Sequence, residues 1–237
     1  SKIETNSQWK AFHKMAGTMA LLIALAGIID VITSMGIEAR ANSTVSVIEW
    51  FTLFQANRFS AFSSLGVINI FTLSLGIPTY LALYHAQRQE RPAFSALAAV
   101  LFFIGAAIYF SSNTVFSLFA VSRQYVVAAE SQKPLLEAAG RSLLAQGADL
   151  TPGTFMGFFF TQIAGLLISG IMLLGRVFGK WIGGVGFAGY GLTSIFFVLS
   201  AFAPQSFNMA MSFAMPGGLF LVAYQIMLAR KLFQLAQ

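Results

Sequence analysis

Cysteine is absent from all 237 residues, which excludes disulfides, thiolate nucleophiles and Cys-ligated zinc or iron–sulfur sites, and leaves the redox compartment open. Charge is nearly as scarce, with Asp, Glu, Lys and Arg making up 9% of the chain against ~25% in an ordinary soluble domain. There is no HExxH, no G-x-S-x-G, no P-loop and no pair of acids at one expected depth. The chain is therefore read as a non-enzyme. The formal net charge of +6 is split among short clusters and forms no basic arm or basic helix, so it is a topology signal and not a nucleic-acid footprint.

What the chain has in abundance is apolar sequence: 57% hydrophobic residues and a mean hydropathy of +0.75. A run from Met15 to Met35 is broken only by Asp30 and by Thr and Ser, and ~18 or more such residues suffice to cross a ~30 Å hydrocarbon core. It follows a lysine-containing N-terminal segment and precedes Ala39-Arg40-Ala41, a small-x-small imitation of a signal cleavage site. It is nevertheless longer than the ~7 to 15 residues of a signal h-region, so it is expected to be retained as a span. Apolar runs bounded by charge, Pro or polar clusters predict spans near 14–36, 60–83, 93–116, 153–175, 180–202 and 208–230. The expected fold is an all-α membrane protein, a bundle of six transmembrane helices in a single domain over 1–237.

Lys and Arg distribution orients it. Lys2, Lys10, Lys14, Arg88, Arg91, Arg176, Lys180, Arg230 and Lys231 fall on one side. Arg40, Arg58, Arg123, Lys133 and Arg141 fall on the other, where Glu38, Glu49, Glu130, Glu137 and Asp149 balance them. By the positive-inside rule both termini are cytoplasmic and the long loops 37–59 and 117–152 face outward. Each loop is expected to carry a short amphipathic surface helix. Val47, Trp50, Phe51 and Phe54 share a face in the first, and Leu135, Leu136, Ala139 and Leu143 in the second, where Glu137 and Arg141 pair at i,i+4. Thr151-Pro152-Gly153 reads as an N-cap followed by Pro at the first position of the fourth span.

Polar residues inside spans need partners or a hydrated cavity. In the predicted topology Asp30, Asn113, Gln205 and Asn208 lie near the outer interface, with Asn69 and Gln162 deeper. Together they are candidates for an outward-opening polar pocket roofed by the loop helices, with Arg58 or Arg123 as counter-charges to Asp30. The plainer reading makes Asp30 a boundary residue and the amides interhelical staples at ~0.6 kcal/mol each. His13 and His85, both at cytoplasmic helix ends, are weak candidates for haem or pigment ligands, and no metal or cofactor is predicted. Gly183, Gly184, Gly186, Gly189 and Gly191 in the fifth span, Pro216-Gly217-Gly218 in the sixth and Pro78 in the second signal either close packing or kinks beside a site. Three helices on each side of an inverted repeat is a transporter geometry, but the halves share only fragments such as Gly17-Thr18-Met19 and Gly153-Thr154-Phe155.

The runs QANRF (Gln55 to Phe59), PTYLALY (Pro78 to Tyr84), IYFSSN (Ile108 to Asn113), PGTFMG (Pro152 to Gly157) and AGLLIS (Ala164 to Ser169) together resemble a family of small bacterial polytopic membrane proteins of unknown function. The resemblance spans nearly the whole chain and implies about six helices in a bacterial cytoplasmic membrane. It implies no activity. The functional expectation is a protein that binds or passes a small or lipid-like ligand through the outward pocket. The alternative is an accessory subunit packed against a larger membrane complex. The expected partners are the lipid bilayer and a membrane protein or a second copy.

Overall fold

The computed structural model describes residues 2–35 and 46–237, with side chains other than those of 2–6, 31–35 and 204. The end of the first predicted span at 36, Glu38, Arg40 and the cleavage-like Ala39-Arg40-Ala41 lie outside the described residues. In chain order the helices are α1 (Lys2–Met35), α2 (Val47–Ala56), α3 (Arg58–Ser64), α4 (Val67–Gln87), α5 (Pro92–Ser112), α6 (Val115–Val127), α7 (Lys133–Gly147), α8 (Pro152–Leu174), α9 (Lys180–Phe202) and α10 (Phe207–Leu235). Six stretches are long and apolar enough to cross a membrane, and the protein is a multi-pass all-α membrane protein. Two of those stretches, Pro92–Val127 and Lys133–Leu174, contain breaks at Asn113-Thr114 and at 148–151 that separate the spanning α5 and α8 from the shorter α6 and α7.

The spanning helices close a ring, α1 against α4, α4 against α5, α5 against α8, α8 against α9, α9 against α10 and α10 back against α1. Its interior is packed with side chains. Tyr80, Phe102, Ile168, Met172, Tyr190, Tyr224 and Leu228 belong to one buried cluster, and Tyr80 lies flat on Phe102 with centroids 4.0 Å apart. Leu25, Phe71, Leu97, Val100, Ile195, Val198 and Leu219 are exposed, the apolar outer surface a bilayer would cover.

Glycine sets how closely neighbours approach. A Cβ at Gly183 would stand 2.6 Å from the Leu173 amide nitrogen, one at Gly186 2.5 Å from Ser169 Oγ and one at Gly189 2.9 Å from Leu221. These three therefore serve α9 packing on α8 and α10, whereas Gly191 has open space. α10 continues as helix through Pro216, and the Cβ position of Gly217 falls 2.9 Å from Thr193 Cγ2. The glycines at these contacts have the packing role.

At the end opposite the chain termini, hereafter the loop end, α2, α3, α6 and α7 form a separate cap with its own core of Val47, Phe51, Phe54, Ala61, Leu65, Val115 and Leu118. The expected surface helices are α2 and α7. α3 and α6 join them because the chain breaks where continuous spans were predicted. The second predicted span, 60–83, is divided at Leu65-Gly66, where Gly66 takes φ +90°, a left-handed geometry that favours glycine. The third, 93–116, ends at Ser112, and Asn113 in extended conformation turns the chain into α6. α2 begins in a capping box, with Ser46 accepting from the Glu49 amide and Glu49 accepting from the Ser46 amide. Thr151 does precede Pro152 at the start of α8, but its hydroxyl donates backwards to the Ala148 carbonyl at 2.6 Å and makes no cap bond into the helix.

Candidate functional site

Where the cap meets the ring, four side chains from three distant parts of the chain form a polar cluster. Asp149, in the short connection between α7 and α8, accepts from Asn69 Nδ2 of α4 at 2.8 Å and from Tyr109 Oη of α5 at 2.8 Å. The Tyr109 hydroxyl has one proton, and the carboxylate at 2.8 Å is a nearer acceptor than the Gly66 carbonyl at 3.3 Å. Its oxygen in turn accepts from Asn113 Nδ2 at 3.3 Å, and the same amide nitrogen donates to the Leu65 carbonyl at 2.9 Å. Asn113 Oδ1 takes the Val115 amide at 3.0 Å, which fixes the turn from α5 into α6.

The backbone around the cluster has unusual geometry at two points. Gly66 could carry no side chain, since a Cβ would sit 2.3 Å from Tyr109 Oη and 2.9 Å from Asp149 Cγ. Leu150, next to the acid, is a non-glycine residue at φ +59°, a conformation that costs an L-residue roughly 1–2 kcal/mol. Tyr109 is fully buried while Asp149, Asn69 and Asn113 are half-buried. The cluster is thus closed and internally hydrogen-bonded, at the junction of two separately packed cores.

The sequence-predicted residues distribute as follows. Asn69 and Asn113 meet in this cluster. Asp30, half-buried at the loop end of α1, lies within electrostatic reach of Asp149. Gln162 sits deeper, its Oε1 accepting from Thr193 Oγ1 at 2.9 Å in a buried link between α8 and α9. Gln205 and Asn208 are exposed at the turn from α9 to α10, apart from the cluster. Arg58 and Arg123 are exposed on the cap. Among the described residues the ion pairs are Lys133–Glu130 and Arg141–Glu137, both within the cap. Tyr109, Gly66, Leu150 and Asp149 were missed as site residues. The available signal was Asp149 itself, an acid two residues before the Thr151-Pro152-Gly153 helix start.

At the opposite end His13 and His85 come together, ring centroids 5.3 Å apart. Trp9 covers one face of His85 in a parallel stack at 3.5 Å, and the Arg88 guanidinium lies 5.9 Å from the Trp9 centroid. His13 Nε2, His85 Nδ1 and Gln87 Nε2 are buried without a hydrogen-bond partner. Among the described residues no three of His, Cys, Asp or Glu are grouped to hold a metal ion.

No family model, no curated protein and no solved structure matches this chain.

Proposed function

We propose that the protein is a multi-pass protein of a bacterial cytoplasmic membrane, with both termini inside, that binds or passes a small polar or lipid-like ligand at its outer end, where the Asp149 cluster is both recognition site and latch. The observation that supports this is the Asp149–Tyr109–Asn69–Asn113 cluster at the seam between cap and ring. A carboxylate, a phenol and two amides can exchange their mutual bonds for bonds to a ligand's hydroxyl or amine groups, and Asp30 adds a second acid nearby. Orientation rests on the Lys and Arg distribution, and the bacterial location on the resemblance of the sequence runs described above.

Mass spectrometry of the small molecules and lipids retained through mild-detergent or nanodisc isolation tests the reading. Wild type is expected to retain one species that Asp149→Asn loses. Identical retention by both proteins would reject it. The accessory-subunit reading is favoured by the exposed Phe59, Phe116, Val127 and Leu135 on the cap. A stoichiometric protein partner in the same preparation, lost when Phe59 and Phe116 are changed to Ser, would replace the ligand reading with that one.

A further inference from the structure

At the end carrying the termini, a groove of about 390 Å³ runs between α1 and α10, lined by Leu21, Ile226, Arg230, Phe233, Gln234 and Gln237. Along α10 its lining runs from Ile226 through Arg230 and Phe233 to Gln234 and Gln237. On α10, Ile226 is four residues, ~6 Å, nearer the middle of the bilayer than Arg230. On α1, Lys14 and Leu21 lie seven residues, two turns, apart on one face, with Lys14 nearer the end. Gly17 lies between them in sequence, and the Phe233 ring comes within 3.0 Å of its Cβ position. Both Lys14 and Arg230 are exposed, and none of the lining residues is acidic. Leu25 and Ile226 are exposed.

Arg230, Gln234 and Gln237 towards the end carrying the termini, with Ile226 deeper, match a molecule with an anionic head and a hydrocarbon tail. We propose that this groove holds one anionic phospholipid, its phosphate at Arg230 and Lys14 and part of one acyl chain along Leu21 and Ile226. A partner helix would need an apolar strip along its whole contact, which Arg230 and Gln234 interrupt. The site is separate from the Asp149 cluster and does not depend on it.

Delipidated protein in a neutral maltoside, titrated with phosphatidylglycerol or with phosphatidylcholine of the same acyl chains and followed by native mass spectrometry and thermal stability, tests the proposal. One phosphatidylglycerol is expected to bind at least about tenfold more tightly than phosphatidylcholine. The double variant Lys14→Gln with Arg230→Gln is expected to remove most of that preference, while Lys133→Gln with Arg141→Gln at the loop end leaves it intact. Leu21→Trp, which fills the groove and keeps the charges, is expected to weaken both lipids. Equal binding of the two lipids overturns the proposal, as does equal loss from the loop-end control. Stabilisation by inorganic phosphate to the same extent as by phosphatidylglycerol also overturns it, since the groove would then be an anion site with no use for a tail.

Discussion

The two ends of the ring hold their helices together by different physics. At the loop end, Asp149, Tyr109, Asn69 and Asn113 use directional hydrogen bonds between segments 40 and 80 residues apart, and each of these side chains has a partner. At the other end, Trp9, His13 and His85 stack as rings, and three of the buried nitrogens there have no partner. Stacking tolerates small displacements, whereas a hydrogen-bonded cluster has one good arrangement and a few ways to break it. The difference makes the Asp149 cluster a place where a single substitution changes conformation, and the Trp9–His13–His85 stack a place where substitutions that keep a ring change little.

Gly66→Val should give the largest effect, because a side chain there meets Tyr109 Oη and Asp149 Cγ and φ is +90°. A loss of roughly 3 kcal/mol or more is expected, read as failure to recover monodisperse protein or a steep fall in Tm. Next comes Asp149→Ala, which strands Asn69 Nδ2 and leaves Tyr109 Oη only the longer bond to the Gly66 carbonyl. About 2 kcal/mol is expected, from two lost tertiary bonds and one unpaired donor. A much smaller change would mean that the cluster does not join the cap to the ring.

Leu150→Gly acts in the opposite direction. Relief of the left-handed residue should stabilise by up to ~1 kcal/mol after the entropy of the added glycine is subtracted, measurable as a rise in Tm. The smallest effect is expected from His85→Phe. Phenylalanine preserves the stack on Trp9, worth ~0.5–1.5 kcal/mol, and removes a nitrogen that has no partner, so stability should be unchanged or slightly raised. A loss comparable to that of Asp149→Ala would erase the contrast between the ends.

The spanning helices were legible because apolar runs are long, local and bounded by charge, and α8 began at Pro152 as its Pro signal required. The cap was legible only in part. α2 and α7 show in amphipathic spacing, but no charge or Pro separates α3 and α6 from the spans they adjoin, and periodicity does not reveal that Leu65-Gly66 and Asn113-Thr114 end a helix. Gly66 is a turn residue only because Tyr109 and Asp149 leave no room for a side chain, a fact set by segments far away in the chain. Asn69 and Asn113 were identifiable as polar residues in apolar surroundings. Asp149 was not, because by count alone it balanced a loop arginine, and its partners are fixed by the ring closing α5 against α8.

The claim that the Asp149 cluster latches the cap over the ring has a direct test in this cysteine-free chain. Leu65 is 3% exposed within the cap core and carries the carbonyl that Asn113 binds, while Gln146 is exposed at the same end. Single cysteines at Leu65 and Gln146 would be treated with a small membrane-impermeant thiol reagent added outside intact cells, in wild-type and Asp149→Ala backgrounds. The latch predicts rapid labelling at Gln146 in both, slow labelling at Leu65 in the wild-type background, and at least a tenfold acceleration at Leu65 with Asp149→Ala. The same Leu65 rate in both backgrounds, with Gln146 labelled normally, would contradict it.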